Sequence, residues 1–203
     1  NVFNFQILHR ICKRAGNCGW FLNNGTVPMF NYVCSRSLFI LQNKMIKKAT
    51  LKDLSTIVKF QLLLQRYESK FDKSLKLNSE VRKRFENNTK KALKNKNVAY
   101  FIAYSNKPVG MAEVYIKNKI GILSSSYVIA KFRGKGIGKS LFNARKSWLK
   151  NKGIKRLQIK VYKENKNTIK IWNKLGYKLI NQNGNCLTME YRINQTQKYA
   201  LQD

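Results

Sequence analysis

The feature that most constrains the fold is a glycine-rich stretch, Lys131–Leu141, whose sequence reads KFRGKGIGKSL. Before it, Ile120–Ile129 has the composition of a strand, apolar at both ends. After it, apolar residues recur at helical spacing, at Ile137, Leu141, Ala144 and Trp148. At such a junction glycines let the backbone approach a ligand closely, and the first N–H groups of the helix lack intrahelical acceptors. The stretch therefore predicts an anion-binding loop, most often for a phosphate, or else only a tight turn.

The remaining elements follow from hydrophobic periodicity and turn residues. Strands are predicted at Met45–Thr50, Val98–Tyr104, Val109–Lys117, Arg156–Tyr162, Tyr177–Ile180 and Cys186–Tyr191. Helices are predicted from the capping pair of Thr50 and Asp53, and over Ser79–Leu93, Ile137–Lys150 and Asn165–Leu175. The polar connection Tyr67–Leu77 and a turn at Ser105–Pro108 complete the pattern.

This order predicts an α/β fold of the α+β type, in which a mixed, mostly antiparallel sheet of six to seven strands carries flanking helices. A helix separates the strands Ile120–Ile129 and Arg156–Tyr162, and strands joined through a helix run parallel. These two form the one parallel pair.

The chain divides into three parts. Residues 1–44 contain no acidic residue, residues 45–193 hold the predicted elements, and residues 194–203 form a polar tail. Segment 1–44 is a targeting sequence for an organelle, an extension with its own role, or upstream sequence from an over-long gene prediction. We favour the last, and expect a variant that starts at Met45 to fold and stay active.

The chain carries 41 basic and 9 acidic residues, a formal net charge of +32. Such charge suits a polyanionic partner such as nucleic acid, anionic lipid or a phosphorylated cofactor. Compositional bias is the alternative explanation, because the lysines are scattered and no compact arginine-plus-aromatic pattern is present. We favour bias and do not expect a nucleic-acid partner. No apolar run approaches the roughly 20 residues of a membrane helix, so we expect no membrane partner.

Cysteine and histidine usage excludes several kinds of chemistry. No Cys-x-x-Cys spacing is present among the cysteines, which are Cys12, Cys18, Cys34 and Cys186. A disulfide framework or a metal site is therefore not expected, and a reducing compartment, the cytoplasm, is predicted. His9 is the only histidine, which excludes a histidine-dependent mechanism in the main domain.

Two motifs in order resemble those of one known family. Arg133–Gly138, RGKGIG, matches an Arg/Gln-x-x-Gly-x-Gly/Ala signature that follows a strand. Downstream, Asn165 with Trp172–Tyr177, WNKLGY, matches an Asn…Tyr-x-x-x-Gly-Phe/Tyr element at the expected distance. With the predicted strands between them, residues 45–193 resemble the GNAT superfamily of acyl-CoA-dependent N-acyltransferases.

The resemblance implies acetyl-CoA as the acyl-donor substrate, no metal, and a splay between the two parallel strands that admits the pantetheine arm. That arm would pair with the backbone of Tyr127, Val128 and Ile129. Asn165 and Trp172 would also contact the cofactor, although Asn165 is equally explained as a helix N-cap. The pyrophosphate would lie on the loop residues, namely Arg133, Gly134, Lys135, Gly136, Ile137, Gly138, Lys139 and Ser140.

At the catalytic positions the chain departs from the family pattern. Trp172 stands where a general-acid tyrosine is frequent, while Lys160 and Ile122 stand where glutamate bases occur. Glu113 remains as a candidate, either a base acting through water, an anchor for an ammonium group, or a surface carboxylate paired with a lysine. Tyr127 is a secondary candidate for positioning.

The resemblance therefore implies direct acetyl transfer to a primary amine, for which we favour a small molecule. A protein N-terminus or a lysine side chain is the alternative acceptor. A non-catalytic acyl-CoA-binding or basic nucleic-acid-binding module is an alternative of a different class. Assembly as a homodimer stays open.

Overall fold

The computed structural model describes residues 45–193, so the predictions on residues 1–44 and 194–203 lie outside the described part of the chain. The strands are β1 (Met45–Lys48), β2 (Val98–Ser105), β3 (Lys107–Lys117), β4 (Ile120–Val128), β5 (Arg156–Tyr162), β6 (Lys178–Asn183) and β7 (Cys186–Arg192). The α-helices are α1 (Leu54–Glu68), α2 (Ser79–Leu93), α3 (Ile137–Asn151) and α4 (Lys166–Lys174). Short 3-10 turns lie at Leu51–Asp53 and Ala130–Phe132.

The strands form a seven-stranded sheet in the order β1-β2-β3-β4-β5-β7-β6. Every neighbouring pair is antiparallel except β4 and β5, which are parallel, as the intervening α3 predicts. The predicted mixed sheet with one parallel pair is confirmed.

The turn predicted at Ser105–Pro108 is present but tighter than predicted. The chain reverses at Asn106, whose φ is 60°, and Lys107 and Pro108 already belong to β3. Pro108 pairs with Tyr104 beside a register shift in the β2–β3 ladder. A proline without an N–H is tolerated at such an irregular strand end, so the pattern that indicates a turn also fits this site.

The sheet separates two hydrophobic cores. On one face α1 packs over β3 and β4 and α2 packs over β2. The core on this face includes Ile57, Phe60, Ile102 and Met111. On the other face α3 and α4 cover the sheet, with Leu141, Phe142, Leu149, Val114, Leu157 and Ile159 at the centre. Along β5 the alternation of buried and exposed residues directs Leu157, Ile159 and Val161 to the α3 face. The intervening Gln158, Lys160 and Tyr162 therefore lie on the α1 face.

Two irregularities of β4 open the middle of the sheet. Its ladder with β3 shifts register between Ala112 and Val114, opposite a bulge at Ser124 and Ser125. Its ladder with β5 extends only from Ile120↔Arg156 to Ile122↔Gln158. Beyond Ile122 the two strands diverge, which leaves a splay between the ends of β4 and β5.

Helix α3 is held closely against the unsplayed end of β4. A Cβ atom added at Gly121 would lie 2.5 Å from Leu149 Cδ1, so only glycine admits this approach. Residues 45–193 include no helix long and apolar enough to cross a membrane, and no group of three side chains that would hold a metal ion.

Candidate functional site

The glycine-rich stretch forms the turn that starts α3. Gly136 is the N-cap residue in the left-handed conformation, with φ of 78°, and α3 begins at Ile137. The amides of Ile137, Gly138 and Lys139 belong to the first turn and have no intrahelical acceptor by helix geometry. Ser140 differs, because its N–H donates to the Gly136 carbonyl at 3.0 Å. The anion-binding part of the loop therefore ends before the Ser140 amide.

Gly138 has no structural reason of its own to be glycine. Its φ lies in the ordinary helical range, and a Cβ atom placed there would meet no protein atom within 4 Å. An alanine would be more favourable in a helix by about 0.5–1 kcal/mol. Open space in front of a helix N-terminus, kept free of a side chain, is the environment that a bound phosphate group needs.

The three predicted cofactor-pairing residues of the β4 end differ in where their backbones point. Ile129 N–H donates to the Val109 carbonyl of β3 at 3.0 Å. Because N–H and C=O groups alternate sides along a strand, those of Tyr127 also face β3 and those of Val128 face the splay. Val128 is thus the residue of the three that presents its backbone to an incoming pantetheine arm.

Arg133 is held beside the splay rather than over the loop. Its Nε donates to the Val128 carbonyl at 2.9 Å. Its guanidinium carbon lies 5.5 Å from the Tyr67 ring centroid and 5.4 Å from that of Tyr127. Cation–π contacts of this kind fix Tyr67, at the end of α1, against the end of β4.

Asn165 and Trp172 lie at the start and near the end of α4. Asn165 is buried and its Oδ1 accepts from the Thr168 N–H at 3.3 Å, so it is an N-cap, and its Nδ2 would remain for a cofactor. Trp172 packs edge-on against Phe142 and Tyr177, with ring centroids 5.9 and 4.9 Å away. The indole therefore supports the α3–α4 core where the family pattern has tyrosine.

Glu113 lies on β3 directly opposite the β4 bulge, on the α1 face. Its Oε1 accepts a 2.7 Å hydrogen bond from the Tyr100 hydroxyl. Burial, followed by the charge of Glu113, raises the pKa of Tyr100, so the phenol stays a donor. The Glu113 carboxylate is therefore held by a hydrogen bond and is not freely solvated. The backbone carbonyl of Glu113 separately accepts a hydrogen bond from Arg145 Nη1 at 3.3 Å.

The connection between α1 and α2 crosses the open end of the splay. Tyr67 packs edge-on against Phe71 at 5.6 Å, and Phe71 stacks on Tyr162 of β5 at 6.1 Å. Together with Arg133 and Tyr127, these rings make a continuous row from β4 to β5, here called the aromatic bridge. Two hydrogen bonds anchor it, from Tyr162 Oη to Asp72 Oδ2 (3.3 Å) and from Asn185 Nδ2 to the Phe71 carbonyl (3.2 Å).

Sequence reasoning did not single out Glu68, the last residue of α1, which lies within the aromatic bridge. Its side chain is half-buried, and burial raises the pKa of its carboxyl to about 7. Burial of the ring, followed by the charge of Glu68, raises the pKa of Tyr162 to about 12. One sequence feature could have pointed to Glu68: it is an acidic residue between aromatic residues, in a chain with few acidic residues.

Comparison with protein families identifies the same relationship as the motifs. The family model described as "Acetyltransferase (GNAT) family" matches residues 61–177, more than half of the chain. No curated protein matches the sequence.

Solved structures share the fold at low identity. The PaiA N-acetyltransferase from Thermoplasma acidophilum, in complex with coenzyme A, gives a TM-score of 0.65 at 19% identity over 74% of this chain and 99% of that one. A GNAT-family acetyltransferase from Staphylococcus aureus Mu50 gives 0.62 at 15% identity, over 75% and 100%. One from Streptococcus pneumoniae gives 0.57 at 23% identity, also over 75% and 100%.

Proposed function

Because the chain belongs to the GNAT family of acetyltransferases, we propose that it transfers the acetyl group of acetyl-CoA directly to the nitrogen of a primary amine. The observation that carries the donor assignment is Gly138, whose missing side chain leaves space before the free amides of α3. The coenzyme A complex of the Thermoplasma acidophilum relative supports the same donor.

Each part of the donor has a fitting environment in this chain. The pyrophosphate fits the amides of Ile137, Gly138 and Lys139, with the positive end of the α3 dipole behind them. A pantetheine N–H fits the outward carbonyl of Val128, in the manner of an added strand, because this oxygen has a second lone pair beside the one that accepts from Arg133 Nε. Lys135 and Lys139 add positive charge around the loop, and we keep both in the proposed site.

The Val128 N–H is also the proposed donor to the oxygen of the thioester carbonyl, on which negative charge develops as the amine attacks. Glu113, fixed by Tyr100 on the acceptor face, is proposed to attract and orient the ammonium group. Tyr127 contributes by holding Arg133 beside this strand end rather than by transferring a proton.

We propose a small acceptor because the aromatic bridge narrows the α1 side of the splay, where an acceptor would enter. The reducing compartment indicated by the cysteine spacing would place the reaction in the cytoplasm.

The direct test is release of free thiol from acetyl-CoA by the purified full-length chain. Tyramine, spermidine, phosphoethanolamine and a short peptide with a free N-terminus would serve as amines. Thiol release with at least one amine, matched by acetylated product in mass spectrometry, supports the proposal. Coenzyme A binding without turnover of any acceptor would favour a non-catalytic acyl-CoA-binding protein instead.

Replacing Gly138 with alanine separates stability from donor binding. We expect Gly138→Ala to raise the melting temperature by a degree or more, because a helical alanine gains about 0.5–1 kcal/mol. We expect the same change to weaken coenzyme A binding by about tenfold, a loss of roughly 1.4 kcal/mol, since the methyl group enters the phosphate space. Calorimetric titration and thermal melting measure the two effects.

Asn143→Ala, on the exposed side of the same helix, is the matched control and should leave coenzyme A affinity unchanged. Unaltered coenzyme A binding by Gly138→Ala would remove the main support for the donor site.

A further inference from the structure

The aromatic bridge places one carboxyl group at the open end of the splay. Tyr67 reaches the β4 end through Arg133, and Phe71 reaches the β5 end by stacking on Tyr162. Glu68 lies between Tyr67 and Phe71 in the chain, and its carbonyl accepts from the N–H groups of Phe71 and Asp72 at 2.8 and 3.1 Å, which places it inside the bridge. Its charge also helps to raise the pKa of the Tyr162 hydroxyl. The face is the one that carries Tyr127 and Tyr162, on the α1 side of the sheet, opposite the α3 side.

Glu68 differs from the other carboxylates in having no partner. Within residues 45–193 its side chain accepts no hydrogen bond and forms no ion pair. The other acidic side chains of this range all do one or the other, namely Asp53, Asp72, Glu80, Glu86, Glu113, Glu164 and Glu190. In a chain with 41 basic residues, a half-buried carboxyl group without a cation is unusual. The Glu68 carboxyl group is therefore available to pair with a cationic group of a substrate.

We propose that Glu68 takes the proton from the ammonium group of the acceptor amine, a role that rests on the acetyl transfer proposed above. The ammonium form cannot attack, since its nitrogen has no lone pair, and a carboxylate at the mouth of the splay both attracts this cation and deprotonates it. In this proposal Glu113 binds the ammonium group and Glu68 accepts its proton. The sequence analysis considered both roles for Glu113 alone.

The step balances as follows. One proton moves from the ammonium nitrogen to Glu68 and then to water, which leaves a neutral amine. The amine nitrogen forms a bond to the acetyl carbon while the carbon–sulfur bond breaks, and the electron pair of that bond leaves on sulfur. The second proton of the nitrogen ends on that sulfur, which gives the amide and the free thiol of coenzyme A.

The surroundings of Glu68 suit a base that works near neutral pH. The Glu68 charge acts on Tyr162 of β5, and Asp72 of the connection and Cys186 of β7 act on the same hydroxyl. Arg133 is the cation of the aromatic bridge, but it lies over the rings of Tyr67 and Tyr127, donates to the Val128 carbonyl and forms no ion pair with Glu68. Burial raises the pKa of the Glu68 carboxyl to about 7. A base is active when deprotonated, so the rate rises with pH through this value.

The test compares pH profiles of kcat/KM for the full-length wild type, Glu68→Gln, Glu113→Gln and the control Glu80→Gln, with the best amine of the panel. We expect the wild-type profile to fall below about pH 7. Glu68→Gln should lose about 100-fold in kcat/KM at pH 7.5 and lose this acid limb. Its affinity for coenzyme A should stay within about twofold of wild type, since it does not touch the donor. Glu80→Gln, exposed on α2, should match wild type.

Several results overturn the inference. One is an acid limb that persists in Glu68→Gln, and another is a limb that disappears only in Glu113→Gln. In both cases, thiol release by the wild type would still support the proposed acetyl transfer, and only the role of Glu68 would be rejected. A wild type that neither binds coenzyme A nor releases thiol overturns both proposals together.

A second measurement does not depend on activity. In protein labelled with ¹³C at the glutamate carboxyl groups, one resonance should titrate near pH 7 and be missing from Glu68→Gln. If every glutamate resonance of the wild type titrates below about pH 5, near the ordinary glutamate value, Glu68 cannot act as proposed.

Discussion

Arg145 of α3 is a fully buried cation at the back of the candidate site, 1% exposed. Its Nη1 donates to the Glu113 carbonyl, opposite the β4 bulge, and its Nε has no hydrogen-bond partner within the described residues. Burial lowers the pKa of the guanidinium to about 10. A buried charge with so few partners is costly to keep, which points to a role in positioning the bulge rather than in stabilising the fold.

We therefore expect Arg145→Met to keep the melting temperature within about 4 °C of wild type, because an apolar side chain of similar length removes the desolvation cost. The same change should lower kcat by about tenfold with little effect on KM, since the Glu113 carbonyl loses the hydrogen bond from Arg145. Thermal melting and steady-state kinetics test this, with the exposed Lys150→Met as control. A collapse of stability with unchanged kcat in the remaining folded protein would contradict it.

Individual residues were predictable from sequence where local pattern defines them. Gly136 and Gly138 follow from the loop motif, and Asn165 from its place before a helix. For Glu68 the sequence shows only an acid between aromatic residues. Its burial was not predictable, because its environment depends on Tyr162, which is distant in the chain and is brought near by the aromatic bridge. The direction of the Arg133 side chain, toward Tyr67 and Tyr127, also depends on tertiary contacts.

At the scale of elements, the β5–β7 pair carries a charged cluster on the α1 face. Glu190 is buried and accepts from Arg156, Gln158 and Arg192, with donor distances of 2.8, 2.9 and 3.1 Å. The hydrogen bond from Arg156 is the largest cause that lowers the pKa of Glu190, to about 2. This cluster ties β5 to β7 at the end of β5 that is also paired with β4, so the start of β5 is held from both sides and the splay begins beyond it.

Glu190 predicts a pH dependence of stability with a definite sign. Its pKa is about 2 in the folded chain and about 4.5 ordinarily, so its contribution is present above pH 4.5 and is lost as pH falls toward 2. Glu190→Gln should lower the free energy of unfolding by roughly 1–2 kcal/mol at pH 7 and flatten its loss between pH 5 and 2.5. Urea titrations across pH measure both quantities. Glu164→Gln, an exposed pair with Lys163, is the control, and an equal slope in both variants would contradict the prediction.

Elements themselves were largely predictable. The bounds of α2 agree with the sequence pattern at both ends, and the crossover through α3 gave the parallel pair, because these depend on local periodicity and chain connection. The irregularities were not predictable to the residue. The β4 bulge falls at Ser124 and Ser125, whose side chains carry no periodic signal, and Pro108 fits a strand end as well as a turn.

At the scale of the whole molecule, the described range 45–193 by itself supplies two hydrophobic cores, one on each face of the sheet. We expect a variant that begins at Met45 to fold with an unchanged melting temperature and to bind coenzyme A with the affinity of the full-length chain. Circular dichroism melting and calorimetric titration test this. A variant that is unfolded, or that has lost coenzyme A binding, would assign residues 1–44 a structural role instead.

The short seam between β4 and β5 has a consequence for the mechanics of the molecule. The sheet consists of a four-stranded half and a three-stranded half, joined along the backbone by the ladder Ile120–Ile122 with Arg156–Gln158. Beyond this ladder, β4 and β5 lack backbone hydrogen bonds to each other in the middle of the sheet, and an extended ligand with amide groups would supply such bonds. A ligand bound there would therefore connect the two halves of the sheet and make their relative position more rigid.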